Sequence, residues 1–199
     1  MRYEKGRKDA SRRRIVNVAA ERFRTDGIAA SGITGIMSAA GLTNGAFSPH
    51  FQSKAELVGE SLVAALADLS NQLGEALATG GFEAALAQYL SLQHRDDPGT
   101  GCPSAALLPE VARQPVEVRD LYTQLFIKLI GQMAESLPPG TKDAESVSLG
   151  VYATMVGALQ LARATRPGAL SDRILAIGAD AARTLIEARQ DREDALRSS

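Results

Sequence analysis

Apolar positions recur along this chain at intervals of three and four residues, and the strict alternation that a half-buried strand needs is missing. Ile15, Val18, Ala19 and Phe23 lay one apolar stripe along a helix over about 9–26, which Gly27 closes as a C-cap. Ser31 can cap a second, short helix whose inward residues are Ile33, Ile36, Met37 and Ala40. Gly41 breaks the chain, Leu42 plugs the angle, and Thr43 can cap a third short helix through Phe51. Ser53 and Glu56 have the spacing of a capping box opening a long fourth helix, with Leu57, Leu62, Leu66, Leu69, Leu73 and Leu77 on its buried side.

Beyond Gly80-Gly81, helical periodicity returns at about 82–94, 103–113, 116–137, 143–165 and 171–189, before a polar tail from about Gln190. Asp97-Pro98-Gly99, Pro115, Pro138-Pro139-Gly140 and Pro167-Gly168 punctuate these segments, and Pro109 shortens or kinks the second of them. The expected fold is all-α, with about nine helices: a three-helix N-terminal domain over 1–53 and a helical body over 54–199.

Composition narrows the class. The chain has 199 residues, 45% hydrophobic and 23% charged, which excludes wholesale disorder. A single cysteine, Cys102, excludes an internal disulfide framework or a multi-cysteine metal site and suits a reducing compartment. No apolar run reaches the ~18 residues of a membrane span. The expectation is a cytoplasmic protein without a membrane partner.

The net charge of -1 hides an asymmetry: residues 1–60 carry 10 Lys/Arg against 6 Asp/Glu, and the remainder is acidic. Arg2, Lys5, Arg7, Lys8, Arg12, Arg13 and Arg14 crowd the first 14 residues. A basic arm is either a solvated tail or the electrostatic footprint of a polyanion-binding end.

The stretch SGITGIMSAAGLTNGAFSPHFQSK, residues 31–54, decides between them. Two short helices across a tight Gly-containing turn make a helix-turn-helix, whose second helix enters a major groove. Thr43, Asn44, Gly45 and Ala46 are small or polar, which lets the backbone approach base edges. Asn44 can pair bidentately with adenine, the Thr43 hydroxyl can reach a phosphate, and Lys54 can neutralise one. Phe47 and Phe51 read as core.

Residues 11–60 resemble the N-terminal domain of the tetracycline-repressor (TetR) family of bacterial transcription regulators. The pattern runs through RIVNVAAERFRTDGI, with Ala19, Phe23 and Gly27 in place, then Ser31, AAGLTNGAF and HFQSKAEL. The resemblance covers about a quarter of the chain. It implies nine or so helices, three for DNA and the rest for a ligand pocket and dimerisation. It also implies DNA contacts at Ser31, Thr43, Asn44, Gly45, Ser48, His50 and Lys54. Two positions depart from the family pattern: Ser48 stands where a tyrosine is usual, and Pro49 removes a helical hydrogen bond and crowds the Gly45 carbonyl, so the recognition helix should kink or end early. His50 is open between a contact and a structural role.

In the body, the resemblance implies a pocket for a small effector. Tyr122, Phe126, Met133, Tyr152 and Met155 are candidate lining residues, with His94 either a polar anchor or a satisfied structural histidine. The apolar and aromatic composition favours an apolar or aromatic ligand. Segments 143–165 and 171–189, with small residues Gly150, Ala153, Gly157, Gly178, Ala181 and Ala182, suit pairing with a second copy in a twofold four-helix bundle; internal packing of one chain is the alternative.

No HExxH, GxSxG, phosphate loop or CxxC is present, so neither an enzyme nor a metal or cofactor site is expected. Cys102, ahead of Pro103, is expected at a helix N-cap. There it is either an apolar filler or a thiolate that senses electrophiles. The leading expectation is a homodimeric repressor of a palindromic operator, released by an effector. The alternative is a helical small-molecule-binding protein, a thiol-based sensor included, with weak or no specific DNA binding.

Overall fold

The computed structural model describes the backbone of residues 2–197 and the side chains of residues 6–188. Among the described residues eight helices follow in order: α1 (Arg2–Asp26), α2 (Ile33–Ala39), α3 (Lys54–Tyr89), α4 (Leu92–Asp96), α5 (Pro103–Val111), α6 (Val116–Glu135), α7 (Ala144–Ala164) and α8 (Ala169–Arg197). A 3-10 turn, Asn44–Ala46, lies between α2 and α3, and no strand occurs among the described residues.

The punctuation works as its chemistry requires. Gly27 (φ +87°) and Gly41 (φ +65°) take left-handed conformations at the ends of α1 and α2. Gly80 and Gly81 both leave the helical region inside α3, Gly81 with φ +64°, so the expected fourth and fifth helices are two helical stretches parted at this kink within the Lys54–Tyr89 span. Pro109 lies inside α5, which spans nine residues. Three capping expectations need correction. Gly32, not Ser31, caps α2, and Thr43 precedes the 3-10 turn without a side-chain cap bond. At α3, Ser53 Oγ accepts from the Glu56 N–H at 3.1 Å, but the Glu56 carboxylate takes the N–H of Gln52 rather than of Ser53.

Packing divides the chain into two compact units, one of residues 1–69 and 98–125, the other of 70–97 and 126–199. The N-terminal segment shares its unit with the first half of α3, α5 and the start of α6.

The core of the first unit is Ile15, Ala19 and Phe23 of α1, Ile36 and Met37 of α2, Phe47 and Phe51, Leu57, Val58 and Leu62 of α3, and Leu107 and Val111 of α5. Leu42 plugs the α2 corner against this cluster. In the second unit α7 packs along α8. They approach so closely that a Cβ on Gly178 would stand 2.4 Å from that of Ala158. The buried guanidinium of Arg95 ties α4 to the α8 start, meeting Asp172 at 2.6 Å and Ser171 at 3.0 Å. Arg163 adds bonds to the carbonyls of His94 and Arg95.

Candidate nucleic-acid interface

The recognition element is a turn rather than a helix. Ala46 N–H bonds to Thr43 O at 3.0 Å and Phe47 N–H to Asn44 O at 3.1 Å, as in a 3-10 helix. Pro49 has no N–H to offer the Gly45 carbonyl, so the helical ladder cannot continue. The chain closes instead through His50 and Phe51, whose N–H groups both reach Phe47 O, at 2.8 and 3.0 Å. The third helix expected through Phe51 is cut to three residues by this proline.

What remains is a short exposed ledge on a rigid floor. Thr43, Asn44, Gly45, Ser48 and Pro49 are exposed, and a Cβ at Gly45 would meet nothing within 4 Å. Phe47 and Phe51 beneath are buried, with ring centroids 5.5 Å apart. His50 is half-buried, with Nδ1 inside and without a hydrogen-bond partner. Its pKa is pushed below the ordinary histidine value, first by burial and then by the charges of Lys8 and Arg12.

The basic residues of α1 are not equivalent. Arg12 stacks over the Phe51 ring, 4.3 Å from its centroid, and donates to Glu56 at 3.0 Å and to both oxygens of Glu60. The Glu60 bond leads in raising its pKa. The Gln52 N–H, and then Arg12, hold the Glu56 carboxyl below its usual range. Arg22 bonds to Asp26 and to Gly35 O, and Arg24 to Gly99 O at 2.7 Å. Arg7, Lys8, Arg13 and Arg14 are exposed. The side chains of Arg2 and Lys5 lie outside the described residues.

Two residues implied as contacts are held inward. Ser31 is buried, its hydroxyl 2.7 Å from Gly27 O and 3.2 Å from Arg22 O. The Lys54 ammonium donates to Ile28 O and sits 6.0 Å from the Phe23 ring centroid. The structure brings Thr43, Asn44, Gly45 and Ser48 together on the ledge with His50 at its edge, and sets Ser31 and Lys54 against the α1–α2 turn. Sequence reasoning missed the partner of that turn: the Glu110 carboxylate of α5 accepts from Ile28 N–H at 3.1 Å and Ala29 N–H at 2.8 Å. An acid more than 80 positions away in sequence carries no local signal of this role.

The effector candidates divide between the units. In the second, Tyr152 lies 5.5 Å from Phe126 and 6.3 Å from Tyr89 between ring centroids, and Tyr89 meets His94 edge-on at 4.7 Å. His94 Nδ1 stands 2.7 Å from Tyr89 O, and Met133 and Met155 are buried in the same unit. Tyr122 belongs to the first unit, where its hydroxyl lies 2.7 Å from Ser104 Oγ. Burial pushes its pKa up. Cys102 is the N-cap of α5, as its Pro103 neighbour implied, and is fully buried.

Residues 15–60 match the family model described as bacterial regulatory proteins, tetR family. No match is found among curated proteins. Solved structures share the fold along most of the chain. A TetR-family regulator from Cytophaga hutchinsonii aligns with TM-score 0.73 and 20% identity, over 88% of this chain and 94% of that one. A putative regulator from Saccharomonospora viridis, solved in complex with choline, aligns with TM-score 0.67 and 21% identity, over 86% and 95%. The regulator FadR from Bacillus subtilis, in complex with stearoyl-CoA, aligns with TM-score 0.63 and 14% identity, over 87% and 96%. The N-terminal segment is therefore a DNA-binding domain of the tetR family of bacterial regulatory proteins, and the chain as a whole has the fold of that family's regulators.

Proposed function

We propose that this chain is a cytoplasmic, non-enzymatic repressor that binds a palindromic operator as a homodimer and leaves it when a small effector binds. The observation that carries the reading is the exposed Thr43–Ser48 ledge on its buried phenylalanine floor, inside the family-matched segment. Asn44 reads an adenine edge, Thr43 and Ser48 touch backbone, and Gly45 lets the duplex come close. The exposed Arg7, Lys8, Arg13 and Arg14 hold phosphates, and Lys54 and Ser31 act by fixing the α1–α2 turn.

Pairing is supported by an uncovered apolar face. Leu149 and Leu161 on α7, and Leu170, Ile177 and Leu185 on α8, are exposed, with Ala153 and Ala181 between them. Together they suit a twofold bundle through 143–165 and 171–189. The effector is a small apolar or aromatic molecule met in the second unit by Phe126, Met133, Tyr152 and Met155, with His94 as a polar partner. The ligands named for two of the structural neighbours support an effector-binding body. Helix α3, which begins at Lys54 and continues into the second unit, is the lever. To move operator occupancy, the effector must favour the non-binding state by a few kcal/mol.

Selection of binding sites from random duplexes tests the reading. The expected product is an inverted repeat whose affinity falls steeply with salt, since each neutralised phosphate releases counterions. Recovery of no palindromic site by a folded dimer overturns it in favour of a binding protein without specific DNA recognition.

A further inference from the structure

The α1–α2 turn is gripped on both polar sides. Glu110 of α5 takes the N–H groups of Ile28 and Ala29, one on each carboxylate oxygen. Lys54 takes the carbonyl of Ile28, and Ser31 that of Gly27. The grip is close: a Cβ on Gly27 would stand 2.8 Å from Glu110 Oε1 and push the carboxylate aside, and the positive φ of this position favours glycine. A second tie runs from Arg24 of α1 to the carbonyl of Gly99, just ahead of α5. The direction in which α2 leaves this turn decides where the recognition turn sits, because the two pack together and share the Ile36–Met37–Phe47 core. Gly32, the α2 N-cap, has no side chain with which to cap, so the start of α2 depends on what holds the turn before it.

We propose that Glu110 is a positioning residue for DNA binding: its carboxylate fixes the α1–α2 turn to α5, and so sets the attitude of α2 and of the Thr43–Ser48 ledge. The proposal rests on the operator-binding reading above. It makes α5 part of the DNA-reading apparatus through the turn that it holds.

Charge separates this role from simpler ones. Glu110→Gln removes a negative charge, and electrostatics alone would then tighten binding to a polyanion. Loss of positioning acts in the opposite direction, since the amide offers one acceptor oxygen where two N–H groups need one each. In full-length protein, Glu110→Gln is compared with wild type and with Glu117→Gln, an exposed acid giving the same charge change. The expected result is about tenfold weaker affinity for the wild-type-selected duplex, the equivalent of one lost charge-assisted hydrogen bond. The salt slope should be unchanged and amide exchange across 27–40 faster, with the melting temperature lowered by no more than about a few degrees. Glu117→Gln should bind as well as wild type or slightly better.

Binding by Glu110→Gln as tight as that of Glu117→Gln, with unchanged exchange across 27–40, overturns the proposal. If wild-type protein selects no duplex, the repressor reading fails and the positioning role fails with it. The exchange measurement then still reports, independently, whether Glu110 holds the turn.

Discussion

The recognition turn and the α7–α8 hairpin satisfy their apolar surfaces in opposite ways. Around Thr43–Phe51, the large side chains point inward onto Phe23, Ile36 and Leu57, and small or polar residues face out. Along α7 and α8, part of the apolar surface is closed by Gly178 against Ala158, while leucines and an isoleucine remain on the outer side. A segment that folds around its own core can spend its surface on a polar partner. One that exposes leucine at helical spacing needs apolar cover. The first arrangement supports the proposed contact with DNA, and the second the proposed pairing with another copy of the chain.

The largest effect should come from charging the outer face of the hairpin. Leu161→Glu with Ile177→Glu is expected to weaken self-association by about a hundredfold or more, because an uncompensated buried carboxylate costs roughly 3 kcal/mol or more. Sedimentation over a concentration series reads it. A double variant that stays as dimeric as wild type would show the contrast to be misdrawn. Next, Gly178→Ala attacks the inner side of the same hairpin. The added methyl cannot fit against Ala158 unless the helices part, so about 1–3 kcal/mol of stability should be lost. Denaturant melts decide, and an unchanged midpoint would mean that the hairpin yields at no cost.

The smallest effect belongs to the recognition turn. Burial and the charges of Lys8 and Arg12 hold the His50 pKa below its unfolded value, so the unfolded chain takes up the proton first. The stability this gives is present above about pH 6.5 and is lost as pH falls from there through the folded pKa. Glu56, with a depressed carboxyl, is affected only at lower pH, from the usual carboxylate range downwards. His50→Asn should flatten the fall in melting temperature between pH 7.5 and 5.5. An identical fall in the variant would take His50 out of the account.

Local signals were legible wherever the physics is local. Gly27 and Gly41 mark ends of helices because left-handed backbone suits glycine, and the break at Gly80-Gly81 was visible for the same reason. Phe47 and Phe51 read as core and are core. Pro49 signalled an early stop, though not that the helix would shrink to a single 3-10 turn, which depends on Phe47 O gathering two N–H groups. Ser31 looked like a cap because serine caps helices in general. It turned back to α1 because the carbonyls of Arg22 and Gly27 lay within reach. The grips of Glu110 and Lys54 on the α1–α2 turn, and of Arg95 on Asp172, join positions far apart in sequence, and periodicity holds no record of them.

The division of the chain by packing has a consequence in time. The first unit is not one continuous stretch: its closing pieces, including Leu107, Glu110 and Val111, come after residues 70–97, which belong to the other unit. During synthesis, the helix-turn-helix residues therefore emerge well before the segment that caps their core. At about 5–20 residues per second, the delay between Ile28 and Glu110 is roughly 4 to 16 seconds. Throughout that interval the nascent helices must hold without α5. A fragment ending shortly after residue 60 would permanently resemble this early intermediate, its α1–α2 turn held by Lys54 and Ser31 but never by Glu110.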